Sequence, residues 1–154
     1  MKIIRIVTMI AFAMGIFSLG FAAETKRITT IAKIRGTVEV MTPQKTWTTA
    51  KVGMVLTEGD FIRTKKNSWA LLDLDGAAQT ATVELKENSQ LKLAKLISDK
   101  TAATESTLLD LALGEVLIHA KKLHSDKSRF EVKTPTSVVG VRGTTFSVAV
   151  EAIE

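Results

Sequence analysis

The stretch TPTSVVGVRGTTF, residues 134–146, decides how the rest of the chain is read. Pro135 fixes one backbone angle at its start. Val138, Val139 and Val141 are β-branched and favour an extended backbone. Gly140 and Gly143 punctuate that extension, and glycine in a strand marks a bulge or a close backbone approach. Arg142 is the one charge in the run. Thr144, Thr145, Phe146, Val148 and Val150 resume a strand pattern, with Phe146, Val148 and Val150 on one face. The stretch therefore predicts a strand, a glycine kink, and a second strand that turns a corner of a β domain.

Upstream, Phe130, Val132 and Thr134 alternate into this stretch, preceded by a charged turn from Lys121 to Ser128. Leu109, Leu111 and Leu113 alternate, Gly114 breaks the run, and Val116, Ile118 and Ala120 resume it, leaving His119 facing outward. Ser98 to Ser106 is polar and reads as a hairpin connection or a mobile loop. Leu91 and Leu93 face inward and Lys92 outward, after a turn at Glu87-Asn88-Ser89 that follows Val83 and Leu85. Ala70, Leu72 and Leu74 share an inner face, closed by the turn dipeptide Asp75-Gly76. A strand after Gly59-Asp60 sets Phe61 and Arg63 against Ile62 and Thr64. Nearer the start, Ile31, Lys33 and Arg35 alternate against Ala32 and Ile34, and Val38 and Val40 follow the break at Gly36. Thr42 to Lys45 makes a turn before Trp47, which is expected to lie half-buried at the core edge. Evenly spaced short strands with no sustained helical period predict an all-β fold: a sandwich, jelly roll or β-roll.

Residues 1–23 read differently. Lys2 and Arg5 precede an uncharged, mostly apolar run from Ile6 to Phe21, and small residues at Gly20, Ala22 and Ala23 lead to Glu24. This is the anatomy of a signal-peptide helix, with an uncleaved anchor as the alternative. It divides the chain into a leader, 1–23, and one β domain, 24–154, in a periplasmic or secreted location. Contact with a membrane is expected only if the leader stays uncleaved.

Composition excludes several chemistries. The 154 residues contain no cysteine, which removes disulfides, Cys-based zinc sites and thiol nucleophiles. With no tyrosine, stacking platforms for single-stranded nucleic acid are disfavoured. The net charge of +5 is spread among acids rather than gathered into a patch, so nucleic acid is not an expected partner. His119 and His124 are five apart, unlike the helical pair of a zinc protease, and no nucleophile turn is present. Asp60, Asp73 and Asp75 lack the spacing of a calcium loop. No enzyme activity, metal or cofactor is expected.

The order of motifs resembles the FecR domain family of bacterial envelope proteins. The matching residues are Gly36-Thr37-Val38-Glu39-Val40, Trp47, Val52-Gly53 and Leu56, followed by Glu58-Gly59-Asp60 with Ile62-Arg63-Thr64. Ser68, Ala70 and Leu72 come next, then Leu111 with Gly114-Glu115-Val116. Last are Phe130, Val132, Thr134-Pro135, and Val141-Arg142-Gly143-Thr144 with Phe146 and Val148. The G-D-x-I-x-T and V-R-G-T-x-F pieces are the specific ones. The resemblance implies a periplasmic, non-catalytic β domain, which in the best-known members relays a transport signal toward a sigma factor. Only Met1 to Arg5 precede the apolar run, so a stand-alone domain without direct anti-sigma activity is expected.

The signature residues Gly59, Asp60, Arg63, Thr64, Thr134, Pro135, Gly140, Arg142, Gly143, Thr144 and Phe146 are candidates for a structural or partner-binding role. An Asp60–Arg142 pair is expected to fix two corners, against the competing reading that Arg142 offers its fork to an acidic ligand. The last strand is expected to leave an open edge suited to strand addition or self-association. The leading function is an envelope module that recognises a protein partner. The alternatives are a structural or glycan-binding domain and an anchored sensor fragment.

Overall fold

A computed structural model describes residues 24–42, 46–76, 80–123 and 125–151. The predicted leader helix, the turn residues 43–45 and His124 lie outside the described residues. Within them the chain forms β1 (Glu24–Lys26), β2 (Thr29–Arg35), β3 (Val38–Met41), β4 (Trp47–Thr49), β5 (Val55–Leu56), β6 (Phe61–Thr64) and β7 (Trp69–Leu74). There follow β8 (Ala81–Leu85), β9 (Gln90–Asp99), β10 (Thr104–Ala120), β11 (Arg129–Lys133), β12 (Val138–Val141) and β13 (Thr145–Val150).

Period-two patterning sets the inner face. Ala70, Leu72 and Leu74 of β7, Val83 and Leu85 of β8, and Leu91 and Leu93 of β9 are buried. Ile62 is buried from β6, and Phe130 and Val132 from β11. All join one hydrophobic core.

The strands form one hydrogen-bonded sheet in the order β4-β3-β6-β9-β10-β8-β7-β2-β5, curled into a half-barrel. β1 adds to β9, β11 to β10, β12 to β11 and β13 to β10. Every pairing is antiparallel except β10 with β11. The all-β class holds. The arrangement is a single curled sheet rather than two layers that share no strand, because β10 belongs to both walls.

β10 is 17 residues long. Its first part pairs with β9 and β11, and its second with β8 and β13. Between them the inward parity changes: Leu109 and Leu111 are buried, then Val116 and Ile118. The switch is a register shift between Leu111 and Leu113, followed by Gly114 at φ +89°. Leu113, expected to continue the inner row, is 38 % exposed as a result. The side chain of Ser89 locks the bend. Its Oγ donates to the Glu115 carbonyl at 3.1 Å and accepts from the Glu115 N–H at 3.0 Å.

A second parity change corrects the reading of β2. The sequence grouped Ile31 with Lys33 and Arg35. A bulge between Ile31 and Lys33 instead sets Ile31 opposite Leu72 and Ile34 opposite Ala70, so both isoleucines turn inward. Ser98 to Ser106 resolves into a hairpin, with β9 running to Asp99 and β10 starting at Thr104. Asp99 Oδ1 accepts from the N–H groups of Thr101 and Ala102 at 2.8 and 2.9 Å, closing that turn.

A Cβ at position 114 would stand 2.2 Å from Ser89 Oγ and 2.5 Å from Ser89 Cα. Gly114→Ala is expected to cost about 2–4 kcal/mol in urea unfolding, from the left-handed backbone and the collision together. Gly140→Ala is the contrast: no atom lies within 4 Å of the added methyl, and a change below about 0.5 kcal/mol is expected.

Candidate functional site

The signature residues separate into two groups with different surroundings. The first begins at Glu58-Gly59-Asp60, in the turn before β6. Asp60 is 3 % exposed, and its Oδ2 accepts from the Thr57 N–H at 2.7 Å and the Thr57 hydroxyl at 3.2 Å. The turn is stitched to β9 by Gly59 N–H to the Leu93 carbonyl (2.7 Å) and Leu93 N–H to the Asp60 carbonyl (2.9 Å). Glu58 extends the stitch by accepting from the Leu96 N–H at 3.0 Å. Thr64, also buried, donates from Oγ1 to the Lys86 carbonyl at 2.5 Å and accepts from the Ser89 N–H at 3.0 Å. These groups satisfy backbone donors and acceptors that the sheet ladder leaves over, which is a structural role.

Arg63 stands on the outer face of β6. Its Nε donates to Glu39 Oε2 at 2.6 Å, and its guanidinium lies 3.9 Å from the centre of the half-buried Trp47 ring. Lys65 reaches the same carboxylate at 3.3 Å. The Arg63 hydrogen bond is the main reason the Glu39 carboxyl sits below its ordinary value of 4.5. Desolvation opposes the shift, and Lys65 adds to it. Lys92 lies 5.2 Å from the centre of Phe61 on the same face, so both aromatic rings carry a cation.

The second group surrounds the corner between β12 and β13. Thr134 closes a turn over Pro135: its N–H donates to the Ser137 carbonyl at 2.8 Å, and its Oγ1 accepts from the Ser137 N–H at 3.0 Å. The kink predicted for this stretch falls at Gly143, at φ +71°, where a Cβ would meet Lys122 Cα at 2.4 Å. Gly140 takes no part in the kink. It lies within β12, exposed, with open space where a side chain would be. Thr144 accepts the Ala120 N–H through its carbonyl at 3.0 Å. Phe146 and Val148 turn toward the core from β13.

Asp60 and Arg142 do not pair. Asp60 is buried on the Thr57 turn, whereas the Arg142 side chain is 68 % exposed and reaches Asp126. Its two terminal nitrogens donate to Asp126 Oδ1 at 3.3 Å and to the Asp126 carbonyl at 2.8 Å. Both residues flank turns, but the turns lie on different parts of the sheet. His119 is exposed, with Nδ1 2.9 Å from Thr145 Oγ1. Asp75 is engaged by Arg27 and Thr80. Among the described residues no group of three or more histidine, aspartate or glutamate side chains is placed to hold a metal ion.

The sequence reading missed Arg27. It is buried, makes a two-pronged ion pair with Asp75, and donates to Thr107 Oγ1 of β10 at 2.8 Å. Position 27 reads as part of a short polar lead-in, and its partner is 48 residues away. No local signal marks it, since Lys26 precedes it and β2 itself carries Lys33 and Arg35.

In comparison with known proteins, a family model described as FecR protein matches residues 60–153. None of the curated proteins and none of the solved structures matches. The match begins at Asp60, yet the strands before it share the same sheet: β3 pairs with β6, and β2 with β7.

Two outcomes follow from this geometry. NMR titration is expected to give Glu39 a midpoint below 4.5, returning toward that value in Arg63→Ala. A lowered carboxyl midpoint favours the fold above the unfolded value. The stabilising effect of the pair is therefore fully present above about pH 4.5 and lost as pH falls through the lowered midpoint. Separately, Asp60→Ala is expected to cost about 1–3 kcal/mol in denaturant unfolding and Arg142→Ala less than about 0.5 kcal/mol. Their double-mutant cycle should close without coupling.

Proposed function

The chain belongs to the FecR family, and from that membership we propose that it is a secreted or periplasmic, non-catalytic binding module that recognises a protein partner in envelope signalling or assembly. The observation that carries this reading is the contrast between the two charged signature residues. Asp60 is buried with its Oδ2 held by its own turn, while Arg142 is exposed and, among the described residues, bound only to the fully exposed Asp126. A surface ion pair of this kind contributes little to stability. A guanidinium fork held by an exposed residue beside β12 and β13 favours recognition over architecture. The leader pattern at residues 1–23 supports the envelope location.

Glycan binding is the second reading, and the surface supports it less. Sugar stacking needs an open aromatic face. Trp47 and Phe61, the aromatics of the outer face of β4 and β6, each have a cation over the ring.

Crosslinking from the native cell envelope with a C-terminally tagged chain tests the proposal. A specific protein should be recovered, and Arg142→Ala should lose it while unfolding at the same denaturant concentration. Recovery of only wall or polysaccharide material would replace the proposal with the glycan reading.

A further inference from the structure

We propose that the cleft between β12 and β13 takes up an extended segment of the partner protein by strand addition, a segment with apolar side chains at alternate positions and an acidic residue at the end beside Arg142. This deepens the protein-partner reading and rests on it.

The backbone sets the first requirement. β12 pairs with β11 and β13 with β10, each along one edge; among the described residues neither has a strand on its other edge. Unpaired N–H and C=O groups along a strand are a template for another strand. Proteins usually block such edges with charge, proline or brevity. β1 is charged, β4 has three residues and β5 two. β12 and β13 read VVGV and TFSVAV, with no charge and no proline, and β13 is six residues long.

The side chains set the second. A cavity of about 550 Å³ lies between the two strands, lined among others by Val139, Val141, Phe146 and Val148. Val138 is 61 % exposed and Val139 37 %. Gly140 lines the same cavity, and neither backbone angle nor crowding demands glycine there. A glycine without a steric reason in a strand suits the close approach of another backbone.

Charge selects the occupant. Both strands meet at the Arg142–Thr144 corner. Arg142, Lys121, Lys122, Lys127 and Arg129 are all exposed on or next to this corner, where the backbone of Lys122 abuts Gly143. The acids nearby are Asp126 and Glu131, which line a neighbouring cavity with Arg142 and Arg129. Cations outnumber acids, so an acidic end of the incoming strand is favoured and a basic one repelled.

The test uses the full chain and synthetic eight-residue peptides alternating valine and threonine. Two peptides carry paired aspartates, at one terminus or the other, and two controls carry lysines instead. Fluorescence anisotropy is expected to detect one aspartate peptide, and hydrogen exchange to show slowed amides in Val138–Val141 and Thr145–Val150. Arg142→Glu should weaken that peptide at least about tenfold and favour a lysine-ended one. Val139→Asp, at an exposed position, should remove binding while the circular dichroism spectrum is kept. Binding indifferent to the charged end, protection on other strands, no binding of any peptide, or protection from a second copy of the chain alone would each overturn the proposal. If Val139→Asp and Arg142→Glu chains still crosslink the envelope protein, the cleft is excluded while protein recognition stands. If the unaltered chain crosslinks no protein, the broader reading fails with it.

Discussion

Gly114 and Ser89 hold the rest of the structure in place. At φ +89° the backbone of β10 turns where an L side chain is strained, and the packing against Ser89 leaves no space for one. At the bend Ser89 Oγ accepts the Glu115 N–H and adds a second donor to the Glu115 carbonyl, which also accepts the Lys86 N–H at 2.9 Å. Because Ser89 is itself held through its N–H by Thr64, the contact joins β6, the turn before β9, and the middle of β10. Each half of β10 then keeps its own neighbours, and the sheet curls around one core.

The polar residues of the interior serve the same closure. Arg27 bridges Asp75, after β7, to Thr107 of β10, tying the two walls together. A buried pair of this kind is weak evidence for stability but sets geometry, since a misplaced strand would leave the charges unpaired. Glu58, Gly59 and Asp60 fasten the turn before β6 along β9. The first half of the family signature is thus absorbed into making the fold.

The second half is absorbed only in part: Thr134 closes a turn, Gly143 packs against Lys122 and Phe146 turns toward the core. The run from Thr134 to Phe146 builds two terminal strands, with an exposed arginine at their junction and an uncharged edge on each. β10 bends where Ser89 holds it, and among the described residues β12 and β13 each pair along one edge only.

Much of this was legible locally. Alternation at Ala70-Leu72-Leu74, Leu91-Leu93 and Phe130-Val132-Thr134 dictates strands and their inner faces, because side-chain direction in a strand depends only on parity. A glycine kink in 134–146 was equally readable, since the backbone freedom of glycine is intrinsic, though only Gly143 takes it up. Strand alternation pointed to an all-β fold, and the order of motifs resembled the FecR family. Tertiary structure decided what parity alone does not carry. The bulges near Ala32 and Leu113 shift Ile34 inward and Leu113 outward, and they exist because of the strands opposite. Asp60 and Arg142 look alike in sequence, each beside glycine at a strand boundary. One is buried and one exposed because their turns face different neighbours, Leu93 of β9 in one case and the Lys122 backbone in the other. Pairing across tens of residues is chosen by the whole core, and no local pattern encodes it.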